Sequence, residues 1–287
     1  MFRLAAILIR LLCAAFVAAV LGGCAILTNT PTTGSEEPDP YRAASPDNIA
    51  SLTEVVQRNP NDPQAYNMRG TVLGQAGRQQ EALTDFSKAI SLDPNYAQAY
   101  ANRGLVYRQT GKLDLALADY NHALQIDQNY APAYLGRGIV QRQRGQAMPA
   151  LEDFNKAISL RPDNAQAYYN RGLLYQAQKQ HQYAIDDFTT SAGLANVKAE
   201  PLVARALSYM AISDYKSAAS DLDDAVTADP QSLQGWMSRG LAYERIGDKE
   251  KAAGSYAKAL NIDKKYEPAR AGFARVGGRY GQSYQTF

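Results

Sequence analysis

The stretch QAYANRG, Gln98–Gly104, decides the fold because it returns along the chain. Thirty-four residues upstream stands QAYNMRG, ending at Gly70, and downstream stands QAYYNRG, ending at Gly172. The closing glycines Gly70, Gly104, Gly138, Gly172 and Gly240 fall on one 34-residue register, with Ala206 in the fifth slot. Twelve residues beyond each slot is an alanine, from Ala82 to Ala252. Four further on is a bulky residue: Phe86, Tyr120, Phe154, Phe188, Leu222 or Tyr256. Four before each slot is Tyr66, Tyr100, Tyr134, Tyr168, Leu202 or Trp236. Within a unit the spacing is helical, with Tyr100, Gly104 and Tyr107 on one face and Ala116, Tyr120 and Ala123 on another. The TGK turn at 110–112 separates the two runs. A fixed period of this length means that helix pairs stack to bury a face that no unit buries alone.

These motifs resemble the tetratricopeptide repeat over about residues 63 to 266. The resemblance implies an all-α solenoid of six helix-turn-helix units, starting near 63, 97, 131, 165, 199 and 233, in a right-handed superhelix. Glycine inside a helix costs about 1 kcal/mol relative to alanine. Its recurrence therefore predicts a close contact between the two helices of a unit. The alanine twelve residues on is expected to face it, and the aromatic residue four before it to fill the adjoining space. Ser45 and Pro46 read as the N-cap and first position of an extra N-terminal helix, and EPARAGFARVGG as a C-terminal capping helix. The solenoid is thus expected over 46–276, with an irregular tail at 277–287. The fifth unit departs most from the pattern, at Leu202, Ala206 and Leu222 and in its entrance SAGLANVKAEP, where a changed inter-repeat angle is expected.

Residues 1–23 read as a secretory signal. Arg3 and Arg10 precede an apolar run that ends at Leu21 and is shorter than the roughly 20 residues a spanning helix needs. LGGC, Leu21–Cys24, resembles the bacterial lipobox, although Gly22 stands where alanine or serine is commoner. The resemblance implies a diacylated Cys24, and Ala25 after it favours an outer-membrane lipoprotein facing the periplasm. Residues 24–45, rich in Thr, Pro, Gly and Glu, read as a flexible tether. The formal charge is +2, and removing Arg3 and Arg10 leaves a neutral body. That balance argues against nucleic-acid binding, which depends on clustered cations. Both cysteines, Cys13 and Cys24, lie near the N-terminus, so the solenoid has no disulfide framework.

No catalytic or metal constellation is legible. His122 and His181 have no partner at ligand or triad spacing, and the glycines belong to the repeat register rather than to a phosphate loop. No cofactor is expected, and the chain does not read as an enzyme. Arginine precedes all six glycine slots (Arg69, Arg103, Arg137, Arg171, Arg205, Arg239), and aspartate recurs as Asp85, Asp119, Asp153, Asp187 and Asp221, then gives way to Ser255. The serine falls where the following helix has Phe273 in place of arginine. We therefore expect each aspartate to pair with the arginine of the next unit, Asp85 with Arg103 through Asp221 with Arg239.

In the resembled family the first helices line the groove that binds partners. Carried over, the groove residues are Leu105, Arg108, Ile139, Arg142, Leu173, Leu207, Met210 and Leu241, basic and polar in the first half and apolar in the second. Packing of the leucine row between neighbouring first helices is the competing expectation. The lysine and asparagine of carboxylate-clamping members are missing from these slots. Anchor plus repeats resemble NlpI-type envelope lipoproteins. This implies a lipid-anchored periplasmic adaptor for protein or peptide partners such as peptidoglycan hydrolases or a protease. The alternative is a structural subunit or pilotin of a pilus or secretion machine. Self-association is left open.

Overall fold

The computed structural model describes residues 44–195, 199–279 and 281–284. The signal segment, Cys24 and the tether up to residue 43 lie outside the described residues. Fourteen helices and no strand occur among the described residues. Helix α1 (Pro46–Arg58) precedes six pairs: α2 (Pro63–Gln75) with α3 (Gln79–Leu92), α4 (Ala97–Gln109) with α5 (Leu113–Ile126), and α6 (Ala131–Gln143) with α7 (Ala147–Leu160). Then follow α8 (Ala165–Ala177) with α9 (His181–Leu194), α10 (Ala199–Ala211) with α11 (Tyr215–Ala228), and α12 (Leu233–Ile246) with α13 (Lys249–Ile262). Helix α14 (Glu267–Arg275) closes the stack, and Tyr284 from the tail packs edge-on against its Phe273. At the other end Ser45 caps α1 through Asn48 N–H, with Pro46 in the first turn, as the sequence predicts.

Each glycine slot is an inter-helix contact. A methyl group built at Gly70, Gly138, Gly172 or Gly240 would lie 2.5–2.8 Å from the ring sixteen residues on. At Gly104 the nearest ring carbon of Tyr120 is 3.2 Å away and the Ala116 carbonyl 3.3 Å. The ring of the second helix thus fills the notch. The aromatic residue four before the glycine does not, contrary to expectation. Tyr66, Tyr100, Tyr134 and Tyr168 are only half-buried. Each lies under the arginine three residues on, with ring-to-guanidinium distances of 5.5–5.8 Å. Only the Trp236 ring of that slot is buried aromatic surface. In the fifth unit the slot holds a methyl group, Ala206, and the residue sixteen on shrinks to Leu222; both are fully buried.

The ion pairs correct the predicted scheme. Asp85 binds Arg69, Asp119 binds Arg103, Asp153 binds Arg137, Asp187 binds Arg171 and Asp221 binds Arg205, each within one unit. The pairing is bidentate, with Nε and one terminal nitrogen donating at 2.7–2.8 Å. The helical hairpin places residues i and i+16 opposite each other, whereas the next unit's arginine lies across a helix-pair boundary. The arginine still reaches that boundary with its remaining nitrogen. Arg103, Arg137, Arg171 and Arg205 donate to Ser87, Asn121, Asn155 and Thr189 of the preceding unit, at 2.7–3.1 Å. The last unit exchanges the two roles. Arg239 takes Asp223 of the preceding unit as its ion pair at 2.6 Å and Ser255 of its own unit as its neutral acceptor.

The turn inside each unit needs a left-handed residue. Gly77, Gly111, Gly145 and Gly247 supply it with φ of +74 to +96°. Lys179 and Ser213 occupy the same slot with φ of 60° and 65°. A side chain in that conformation costs roughly 1–2 kcal/mol, partly offset by the entropy that glycine loses. Lys179→Gly and Ser213→Gly are each expected to raise unfolding stability by about 0.5–1 kcal/mol, measured by denaturant titration. Loss of stability in both variants would refute the strain.

Candidate functional site: a groove along the first helices

The first helices of successive units touch one another, so they share one face of the array. The predicted groove residues lie on that face but differ in access. Leu105 is exposed, Arg108, Arg142, Leu173, Leu207, Met210 and Leu241 are half-buried, and Ile139 is buried at 6 %. The leucine row is therefore neither sealed between helices nor free. Leu207 and Met210 rest on the core around α11, with part of each side chain still open. Ile139 is the least open of the row: it packs in the core with Phe154 and also lines the first of two clefts.

Two adjoining clefts gather several of these residues. The first, about 390 Å³, is lined by Arg108, Ile139, Arg142, Tyr169, Asn170 and Leu173, among others. The second, about 290 Å³, carries Leu173, Gln176, Val203 and Leu207. Tyr169, Leu173 and Glu200 line both. Leu105 lies in a smaller cleft with Thr71, Asn102 and Val106. Met210 and Leu241 line neither of the two adjoining clefts.

The slot four residues beyond the glycine explains the electrostatics. Gly74 packs against Val106, and the Gln176 amide donates to Ala204 O and Ser208 Oγ at 2.9 and 2.8 Å. Glu244 is bound by Arg275 at 2.8 Å and by the Tyr256 phenol, and Arg275 chiefly holds its carboxyl below the usual range. Arg108 and Arg142 remain, one helix apart and without an ion pair among the described residues. Burial, with Arg108 nearby, lowers the Arg142 guanidinium from its ordinary value. Burial also pushes the Tyr120 phenol up to about 12, although neighbouring Arg108 pulls it down. Tyr120 and Tyr256 reach the next unit, where Gly136 and Gly272 leave room: a methyl group there would meet the rings at 2.3 and 2.5 Å.

Sequence reasoning missed Asn170 and Glu200. Asn170 is 5 % exposed, accepts from Arg142 at 3.3 Å and donates to Gln166 O at 2.8 Å. Glu200 sits beside the irregular fifth entrance, where the repeat register carries no signal. No group of residues that could hold a metal ion occurs among the described residues, and no described helix is long and apolar enough to cross a membrane.

The architecture defines a helical-repeat scaffold with half-open clefts along its first helices, and comparison with known proteins names the class. Tetratricopeptide-repeat models match residues 70–111, 104–145, 140–179, 165–197 and 203–268, more than half of the chain. The chain belongs to the tetratricopeptide-repeat family, a family of protein-interaction scaffolds. No curated protein matches it in sequence. Among solved structures it is similar to the Cut9–Hcn1 hetero-tetramer of APC/C, with a TM-score of 0.71, 18 % identity and 83 % of this chain covered. It spans only 48 % of that chain. It is also similar to PilF of Pseudomonas aeruginosa, with a TM-score of 0.68, 20 % identity and coverage of 74 % and 97 % of the two chains. YrrB, described as having an unusual peptide-binding site, aligns with a TM-score of 0.55, 24 % identity and coverage of 65 % and 96 %.

Proposed function

We propose that the protein is a lipid-anchored scaffold of the bacterial envelope that captures other envelope proteins along its first helices. The observation that carries the binding face is the pair of adjoining clefts sharing Leu173, whose apolar wall is only half-buried. Extended or helical segments dock by placing apolar anchors in such a groove. The anchor rests on LGGC and the apolar run before it. Several acyl chains at about 0.8 kcal/mol per buried CH₂ hold a protein without a spanning helix. Facing the periplasm from the outer membrane, the scaffold would bring hydrolases, or a protease and its substrates, together.

Two experiments test this reading. Cys24→Ser is expected to move the protein from the membrane fraction to the soluble fraction or to leave it unprocessed. Unchanged acylation and membrane retention would contradict the anchor. Leu173→Asp with Leu207→Asp is expected to abolish partner capture from native membranes while circular dichroism keeps its helical signal. Full capture by this variant would remove the groove from the account. Captured secretin or pilus subunits would replace the adaptor by a component of an assembly machine.

A further inference from the structure

We propose that Arg108 and Arg142 form a receptor for one acidic side chain, Asp or Glu, of the polypeptide segment held in the groove. This rests on the groove reading and adds the chemistry of the ligand. The arginine row shows how the fold treats a guanidinium it means to neutralise: each of five has a carboxylate across its own hairpin at 2.7–2.8 Å. Arg108 and Arg142 are treated differently. The Nε atoms of both are buried and have no acceptor. Arg142 finds one long bond to the neutral Asn170 amide, at 3.3 Å. Arg108 has the neutral Tyr120 phenol nearby. Two neighbouring like charges, partly desolvated and without a counter-ion among the described residues, are relieved by an anion, and a carboxylate matches the guanidinium fork.

The cleft also says what kind of anion fits. Glu200 lines the same 390 Å³ cleft and the adjoining one. A phosphate-rich chain would meet that carboxylate, and the lining of the cleft adds no cation to Arg108 and Arg142. A polypeptide with one acidic residue beside apolar ones would place the acid on the arginines and an apolar neighbour against Leu173 and Leu207. The arginine pair is thus expected to be kept for binding and not for stability, because no carboxylate among the described residues repays its burial.

Fluorescence anisotropy of the full chain in non-ionic detergent tests this. The probes are two acetylated, amidated peptide pools of Leu, Ala and Ser with one central Glu or one central Gln. The Glu pool is expected to bind about tenfold tighter or more, as a charge-assisted hydrogen bond in place of a neutral one would give. Arg142→Gln and Arg108→Gln should each bring the pools to near-equal affinity through loss of Glu-pool binding and leave the helical signal intact. Arg142→Gln should also leave Tm unchanged or raise it. Equal binding of both pools to the unaltered protein would overturn this inference and leave the groove reading standing. No binding of either pool would remove both. Displacement of the bound Glu pool by inorganic phosphate at lower concentration than by the unlabelled Glu peptides would overturn the inference in favour of a free-anion site. Glu-pool binding that appears only when Glu36, Glu37 and Asp39 are neutralised would overturn it in favour of the chain's own acidic run.

Discussion

Arg137→Ala is expected to cost about 3–5 kcal/mol of unfolding free energy, more than Asp153→Ala at the same pair. The two partners differ in access: the Asp153 side chain is 6 % exposed and that of Arg137 is 23 % exposed. Removing the arginine strands a carboxylate deep between α6 and α7 and also breaks the bond to Asn121 across the unit boundary. Removing the aspartate leaves a guanidinium that water reaches and that keeps Tyr134 and Asn121. Asp153→Ala should therefore cost only about 1–3 kcal/mol. In the last unit the asymmetry reverses. Arg239 is wholly buried and Asp223 is 37 % exposed. There Asp223→Ala leaves a buried guanidinium with the Ser255 hydroxyl and the Trp236 and Tyr243 rings as its recorded neighbours. Chemical denaturation of these three variants and of Arg239→Ala measures both orders, and equal costs for Arg137→Ala and Asp153→Ala would contradict the asymmetry.

Gly240→Ala is expected to cost about 1–3 kcal/mol, whereas Gly104→Ala should stay within about 1 kcal/mol of the unaltered protein. Both gain about 1 kcal/mol of helix propensity. At Gly240 the new methyl group would lie 2.5 Å from the ring of Tyr256, which is fully buried and tied to Glu244. The hairpin must open to accept it. At Gly104 the nearest ring atom is 3.2 Å away, so a shift of a few tenths of an ångström suffices. Gly104→Leu has no such escape and should cost about 1–3 kcal/mol. Thermal unfolding of the three variants checks the ranking.

The repeat was legible because one contact, glycine against a ring sixteen residues on, recurs in nearly every unit. The compensation came only from the structure: Ala206 accompanies the smaller Leu222, and Gly136 and Gly272 make room for the two tyrosines, Tyr120 and Tyr256. The ion-pair direction was misread because the wrong substitution was matched to the missing arginine at Phe273. The residue that would have met that arginine is at 257, the slot of Ser87, Asn121, Asn155, Thr189 and Asp223, and it is Ala257. Ser255 instead accompanies the exchange of charge to Asp223. Groove positions were legible as a row, but their access was not. Periodicity places Ile139 and Leu173 alike, and packing against Phe154 leaves the first less open. Asn170 recurs as Asn102 in the quoted motif, but the repeat does not show that it accepts from Arg142; Glu200 was not legible, because it lies in the irregular fifth entrance.

The central claim is that the first-helix groove holds a polypeptide partner at the membrane. Site-specific photo-crosslinking in native membranes tests it most directly, with the reactive group at Leu173, at Leu207, or at the exposed Met148 on α7. The account predicts discrete adducts from Leu173 and Leu207 that disappear when the other position carries aspartate, and none from Met148. Adducts from Met148 alone, or adducts from Leu173 that survive Leu207→Asp, would contradict it.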